Sequence, residues 1–363
     1  MTELHEQPVR PEGLKAPIVK IGVVRWIKTN LFNGMFNSIL TLVTLLFLYQ
    51  IVPPFVKWAF IDSFWMSTAE QCRAGSGACW SFIPVNIRFI IFGFYPYELH
   101  WRPFVAMILL ISLLLYSKNR GHWNRSLAWL WIAGLFVMGT LMKGGIFGLT
   151  PVDSDQWGGL PLTLMLSFFG MVAAYPLGIL LALGRRSKMP AIRTLSILYI
   201  ELIRGVPLIS LLFMSAVLFP LFLPEGLTLN KILRAQVAII LFTAAYIAEV
   251  VRGGLQAITR GQYEAAESLG LDYVQKMRLV VLPQALKIVI PPTVGILISA
   301  FKDTSLVVII ALYDVLKTTK SALANPQWMG FSPEAYIFVA LIYFVCCYTM
   351  SNYRRRLEKE LHS

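Results

Sequence analysis

Residues Gly261–Pro283 read GQYEAAESLGLDYVQKMRLVVLP. This stretch carries Glu264, Glu267, Asp272, Lys276 and Arg278, and it is the longest water-compatible run between strongly apolar segments in the second half of the chain. Gly270 supplies a residue at which left-handed backbone is cheap, so one helix can end there. Pro283 permits a turn back into the apolar run that follows. The pattern predicts a short helix, a glycine hinge and a second helix. Ala265 and Ala266 are small enough to let another protein approach closely, and Glu264 is free for polar contact. The plainer alternative, a solvated loop between spans, has the same composition.

Outward from this stretch the chain is apolar. Of its 363 residues 57% are hydrophobic and 14% charged, with a mean hydropathy of +0.65. That balance excludes a soluble domain and describes a polytopic membrane protein. The net charge of +13 lies in short Lys/Arg blocks between apolar runs, the arrangement that orients membrane helices, and not on one nucleic-acid-binding face. The polar, Pro-rich start has no apolar core before a small-residue cleavage site and reads as a tail (1–30), not a signal peptide.

A spanning helix needs about 20 mostly apolar residues. Eight candidates are expected in an all-α fold: Leu31–Val52 ended by Pro53 and Pro54, Arg102–Lys118, Leu127–Met142, Gly159–Leu183, Tyr199–Leu223 interrupted by Gly205 and Pro207, Ala235–Val251, Ala285–Phe301 around Pro291 and Pro292, and Ala335–Tyr353. The aromatic-rich loop 53–101 reads as folded at the membrane interface. Ser305–Leu316 is apolar but too short to cross alone, and reads as re-entrant or bent. With the N-terminus inside, the inner segments collect about twice the Lys and Arg of the outer ones. Both termini and the stretch 252–284 are then cytoplasmic, and Cys72 and Cys79 lie outside. Those two cysteines lack further ligands for a metal, so an oxidising compartment favours a disulfide. The Gly-rich segment before residue 158 divides a three-span extension (31–157) from a five-span core (158–363).

The spacing EAAxxxG, nine residues, then Val280, any residue, Leu282, Pro283 resembles the coupling loop of type I ABC importer permeases, with Val280 where the pattern has Ile. The segments TLMLSFFGMVAAYPLGILLALGRRS, YIELIRGVPLISLLF, AAYIAEVVRGGLQAI and FKDTSL are similar to the polar and general amino-acid branch, the histidine permease-like family. The resemblance implies a bacterial inner-membrane subunit that contacts an ATPase dimer through Glu264, Ala265, Ala266, Leu269, Gly270, Leu282 and Pro283. It further implies a second, homologous permease, a periplasmic solute-binding protein and an amino-acid cargo. No cofactor is expected in this chain: ATP and Mg belong to the ATPase partner. No nucleotide-binding loop occurs, and His5, His100, His122 and His362 are too scattered for a catalytic or metal site.

Three charged couples remain. Glu201 with Arg204 and Glu249 with Arg252 have the i, i+3 spacing of structural ion pairs that anchor helix ends. Lys302 and Asp303, followed by Thr304 and Ser305, sit at a bend and are expected to border a translocation pathway. An ion-coupled secondary carrier, or a scaffold subunit that transports nothing, are the rival readings; neither gives the polar stretch a purpose.

Overall fold

A computed structural model describes residues 22–222, 224 and 229–362. The expected tail before residue 22, and Leu223 at the end of the fifth expected span, lie outside the described residues. The helices are α1 (Val23–Asn30), α2 (Met35–Val56), α3 (Ala69–Ala74), α4 (Phe82–Phe92), α5 (Trp101–Ser117), α6 (Arg125–Lys143), α7 (Gly159–Arg185), α8 (Pro190–Gly205), α9 (Leu208–Phe222), α10 (Lys231–Ala257), α11 (Arg260–Ser268), α12 (Tyr273–Gln275), α13 (Leu282–Asp303), α14 (Val315–Leu323) and α15 (Ser332–His362). Seven helical stretches among the described residues are long and apolar enough to cross a membrane, and α8 with α9 makes an eighth if that bent pair counts as one span.

Two compact units are present among the described residues: 22–63 with 74–78, and 64–73 with those from 79 to 362. In the first, Pro53 and Pro54 lie inside α2 and do not end it. A proline lacks the N–H but keeps its carbonyl, and both carbonyls accept the Lys57 N–H as the helix runs on into a wider turn, Lys57–Ile61. The boundary expected at 157 and 158 falls inside the second unit. There Trp131 of α6 stacks on Phe168 of α7 at 5.2 Å, and the Tyr95 hydroxyl donates to the Met142 carbonyl at 3.0 Å.

Residues 64–73 and 79–92 are also built into this unit. Cys72 and Cys79 form a disulfide, and they join Phe82, Ile90, Val315, Trp328 and Phe331 in one buried cluster. Arg73 donates to the Pro326 carbonyl at 2.7 Å, and the Cys79 N–H to Glu334 Oε1 at 2.8 Å.

The centre of the unit is α7 against α10. Gly178 makes that approach possible, because a Cβ there would sit 2.6 Å from an Ile247 methyl, and small residues let spanning helices close on one another. Ala174, Ala182, Ala244, Ile247, Ala248 and Val251 fill the seam.

The fifth expected span is two helices, α8 and α9, meeting at 106°. Proline drives the preceding residue out of the helical region, and Val206 is extended at φ −108° and ψ 133°. The Pro207 carbonyl then starts α9 by accepting from Ser210 N–H at 3.0 Å. Ser305–Leu316 is not a separate half-span. Thr304–Ile310 continues α13 as a tighter helix, and after Ala311 the chain lies beside the start of α7, with Tyr313 and Asp314 paired to Gly158 and Gly159.

Candidate functional site

The stretch 260–283 forms the helix, hinge and helix that its spacing predicts. α11 ends where Gly270 takes φ +74°, and the Gly270 and Leu271 N–H groups close the end by donating to Glu267 and Ala266 carbonyls at 2.9 and 3.2 Å. Asp272 then starts α12 with a reciprocal cap. Its Oδ1 accepts the Gln275 N–H at 2.8 Å, and Gln275 Oε1 accepts the Asp272 N–H at 3.1 Å. Lys276 donates to Glu267 across the hinge, and this bond and charge hold the Glu267 carboxyl below its usual range.

One side of the stretch is anchored and the other is bare. Met277 and Val281 are buried with Leu255, Ala285 and Val289. Gln284 ties α13 to α11 by donating to Gln262 Oε1 at 2.9 Å. On the other side Leu269 is 79% and Val274 67% exposed, with Tyr273 and Leu279 beside them. Glu264 and Ala265 are exposed and Leu282 is half-buried, while Pro283 is exposed. Ala266 differs from the expectation of an approachable surface: at 2% exposure it is packed inward. A helix with period 3.6 cannot turn adjacent residues to the same face.

Two further places gather function-bearing groups. At one end of α7, α8 and α10, Arg185 Nη1 donates to Glu201 Oε1 at 2.8 Å and to Glu249 Oε2 at 3.3 Å. Arg204 lies 3.6 Å from the same Glu249 oxygen, and Arg252 Nε donates to Glu249 Oε1 at 3.0 Å. Glu249 with Arg252 is the pair expected from i, i+3 spacing. Glu201 is instead taken by Arg185, and Arg204 by Glu249, because α7 and α10 bring partners closer than the same helix does.

A cavity of about 500 Å³ opens between α10 and α13. Thr243, Tyr246, Gly295, Ser299 and Asp303 line it, and the Arg204 guanidinium lies 5.7 Å from the centre of the Tyr246 ring, linking the cavity to the ion pairs. Of the four residues expected near a pathway, Asp303 alone lines this cavity. Lys302 is exposed. The Thr304 and Ser305 hydroxyls donate to the Phe301 and Lys302 carbonyls at 2.7 and 2.9 Å. Sequence reasoning missed Tyr246, Ser299 and Arg185, whose roles come from neighbours on other helices; the basic block at 185–186 was a signal for orientation only.

Residues 174–363 match the family described as "Binding-protein-dependent transport system inner membrane component". The inner membrane amino-acid ABC transporter permease protein YhdY of Escherichia coli is 47% identical over 341 residues, covering 93% of each chain. The glutamate/glutamine/aspartate/asparagine transport system permease protein BztC of Rhodobacter capsulatus is 37% identical over 417 residues, covering 95% of each. A solved structure, "Crystal structure of an amino acid ABC transporter with histidines", matches 56% of this chain and 92% of its own, with 31% identity and a TM-score of 0.50. Members of this family are transport subunits and carry no nucleotide site of their own. With a family match over more than half its length and relatives aligned over more than nine-tenths of both chains, the chain belongs to the binding-protein-dependent transport system inner membrane component family, as a multi-pass, all-α inner-membrane permease of an ABC importer.

Proposed function

We propose that this permease moves polar amino acids inward across the membrane, with α11 and α12 in the cytoplasm and both termini on that side. The observation that carries the reading is the segment 260–283, anchored through Met277 and Val281 and bare at Leu269, Tyr273, Val274 and Leu279. An apolar patch on a polar loop is a docking surface for a soluble protein, and a separate ATPase dimer holding ATP and Mg is the partner that fits. A second, homologous permease completes the pathway, and a periplasmic solute-binding protein delivers the cargo. The amino-acid class follows the names of the relatives, and the cavity lined by Asp303, Ser299 and Tyr246 supplies polar groups for a zwitterion.

ATP binding closes the ATPase dimer and shifts α11. The shift reaches α10 through Tyr263, whose hydroxyl donates to the Leu255 carbonyl at 3.2 Å. The cavity then alternates between the two sides. Uptake of labelled amino acids into proteoliposomes containing the co-purified complex tests the reading: ATP-dependent uptake that fails in Glu264→Lys supports it. Gradient-driven uptake without any ATPase would establish the secondary-carrier alternative instead.

A further inference from the structure

A second cavity, of about 480 Å³, lies at the shared end of α7, α8 and α10, and neither the coupling surface nor the Asp303 cavity uses it. Arg185, Arg186, Ser187, Arg193, Arg252 and Gln256 line it. Its charge is not balanced. Glu201 and Glu249 are shared among Arg185, Arg204 and Arg252. Arg186 donates only to uncharged oxygens, the Leu255 carbonyl at 2.9 Å and the Tyr263 hydroxyl at 3.0 Å. The Arg193 side chain has no partner among the described residues. Two guanidinium groups left without a carboxylate, Arg186 at the end of α7 and Arg193 on α8, share one space with the paired Arg185 and Arg252, and they suit a phosphate, whose oxygens match their planar forks.

The position of the cavity selects the source of that phosphate. At about 1.5 Å per residue α7 is longer than the hydrocarbon core, roughly 30 Å thick, so Arg185 and Arg186 at its end reach headgroup level. A basic pocket between the ends of spanning helices, at headgroup level, is the arrangement that takes an anionic lipid headgroup.

We propose that this cavity binds the phosphate headgroup of an anionic phospholipid. Free phosphate shares the headgroup chemistry but has no acyl chains to hold it at that level of the membrane. Because Arg186 also bonds Tyr263 at the start of the coupling segment, the bound headgroup braces α11; this consequence alone rests on the ATPase reading above.

The test uses the complex purified with the full-length chain in nanodiscs of phosphatidylcholine carrying a minority of phosphatidylglycerol. Retained lipid is counted by native mass spectrometry, with and without inorganic phosphate. Each basic group near an anionic headgroup is worth about fivefold in affinity, so Arg193→Gln, which breaks no internal bond, lowers phosphatidylglycerol retention about fivefold. The double variant with Arg186→Gln lowers it about twenty-five-fold by the same arithmetic. Unchanged retention in the double variant, no preference over phosphatidylcholine, or displacement by millimolar inorganic phosphate overturns the proposal. So does a headgroup found in the isolated chain but excluded from the complex, which would mean that a protein partner fills the cavity. The lipid count does not depend on transport, so failure of the uptake assay leaves it readable, and loss of lipid leaves ATP-dependent uptake to be judged by itself.

Discussion

Glu249 Oε2 lies 3.3 Å from Arg185 Nη1, across the seam between α10 and α7, and the same carboxylate also receives Arg204 and Arg252. One acid thus holds three helices together at the end of the molecule nearest the coupling segment. Three guanidiniums around one carboxylate repel one another once it is neutralised.

Replacing Glu249 by Gln should therefore destabilise the chain more than an exposed ion pair would, by about 2 kcal/mol, between surface and buried cases. Thermal unfolding of the solubilised complex measures the loss. Combining it with Arg185→Gln should recover part of it, because the second change removes one of the unpaired charges; strict additivity would show that the two residues do not interact.

Asp314 caps α14, accepting the Lys317 N–H at 3.0 Å and the Leu316 N–H at 3.2 Å. It is fully buried, and burial pushes its carboxyl up to about 6 from 3.8. Between those values the folded chain keeps a proton that the unfolded chain has released. The contribution of this group to stability is thus complete below about pH 4 and is lost as pH rises through 6, a change of about 3 kcal/mol. Asp314→Asn should flatten that limb in thermal melts recorded from pH 4 to 7. An unaltered limb would place the titration elsewhere.

Gly270 has φ +74°, and a Cβ there would meet nothing within 4 Å. Conformation, and not space, restricts the position. Gly270→Val should cost about 1–2 kcal/mol locally and shift α11 against α12, while Gly270→Asn, which tolerates left-handed backbone, should be milder. ATP-driven uptake and ATPase co-purification give the ranking, and equal effects of Val and Asn would argue against a hinge set by backbone.

Asp303→Asn should reduce amino-acid uptake while leaving co-purification of the ATPase intact, since the residue lines the cavity between α10 and α13 and touches no part of the coupling segment. Normal transport by this variant would remove Asp303 from the pathway.

The Cys72–Cys79 disulfide closes a short loop, with a sequence separation of 7. Replacing both cysteines by Ser should lower stability by about 2 kcal/mol. Because Cys79 and Arg73 bond Glu334 and Pro326, amide exchange should rise at 326–335 as well as in the loop itself.

Local pattern determined much of this protein. Apolar run length marked the spanning segments, and the glycine and proline of 261–283 wrote out a helix, hinge and helix. Backbone rules of this kind need only neighbours in sequence, so they are legible there. Tertiary structure alone decided the rest. Pro53 and Pro54 continue a helix because the carbonyls they keep find a donor at Lys57, and Pro207 bends one because Val206 becomes extended and the Pro207 carbonyl starts α9. Glu201 chose Arg185 over its own helix neighbour, Ala266 turned inward while Ala265 stayed out, and Asp303 reached a cavity that Lys302 does not line. Each of these depends on which helix packs beside which, and distances between helices are set by side-chain packing across the whole bundle, a property that no single segment carries.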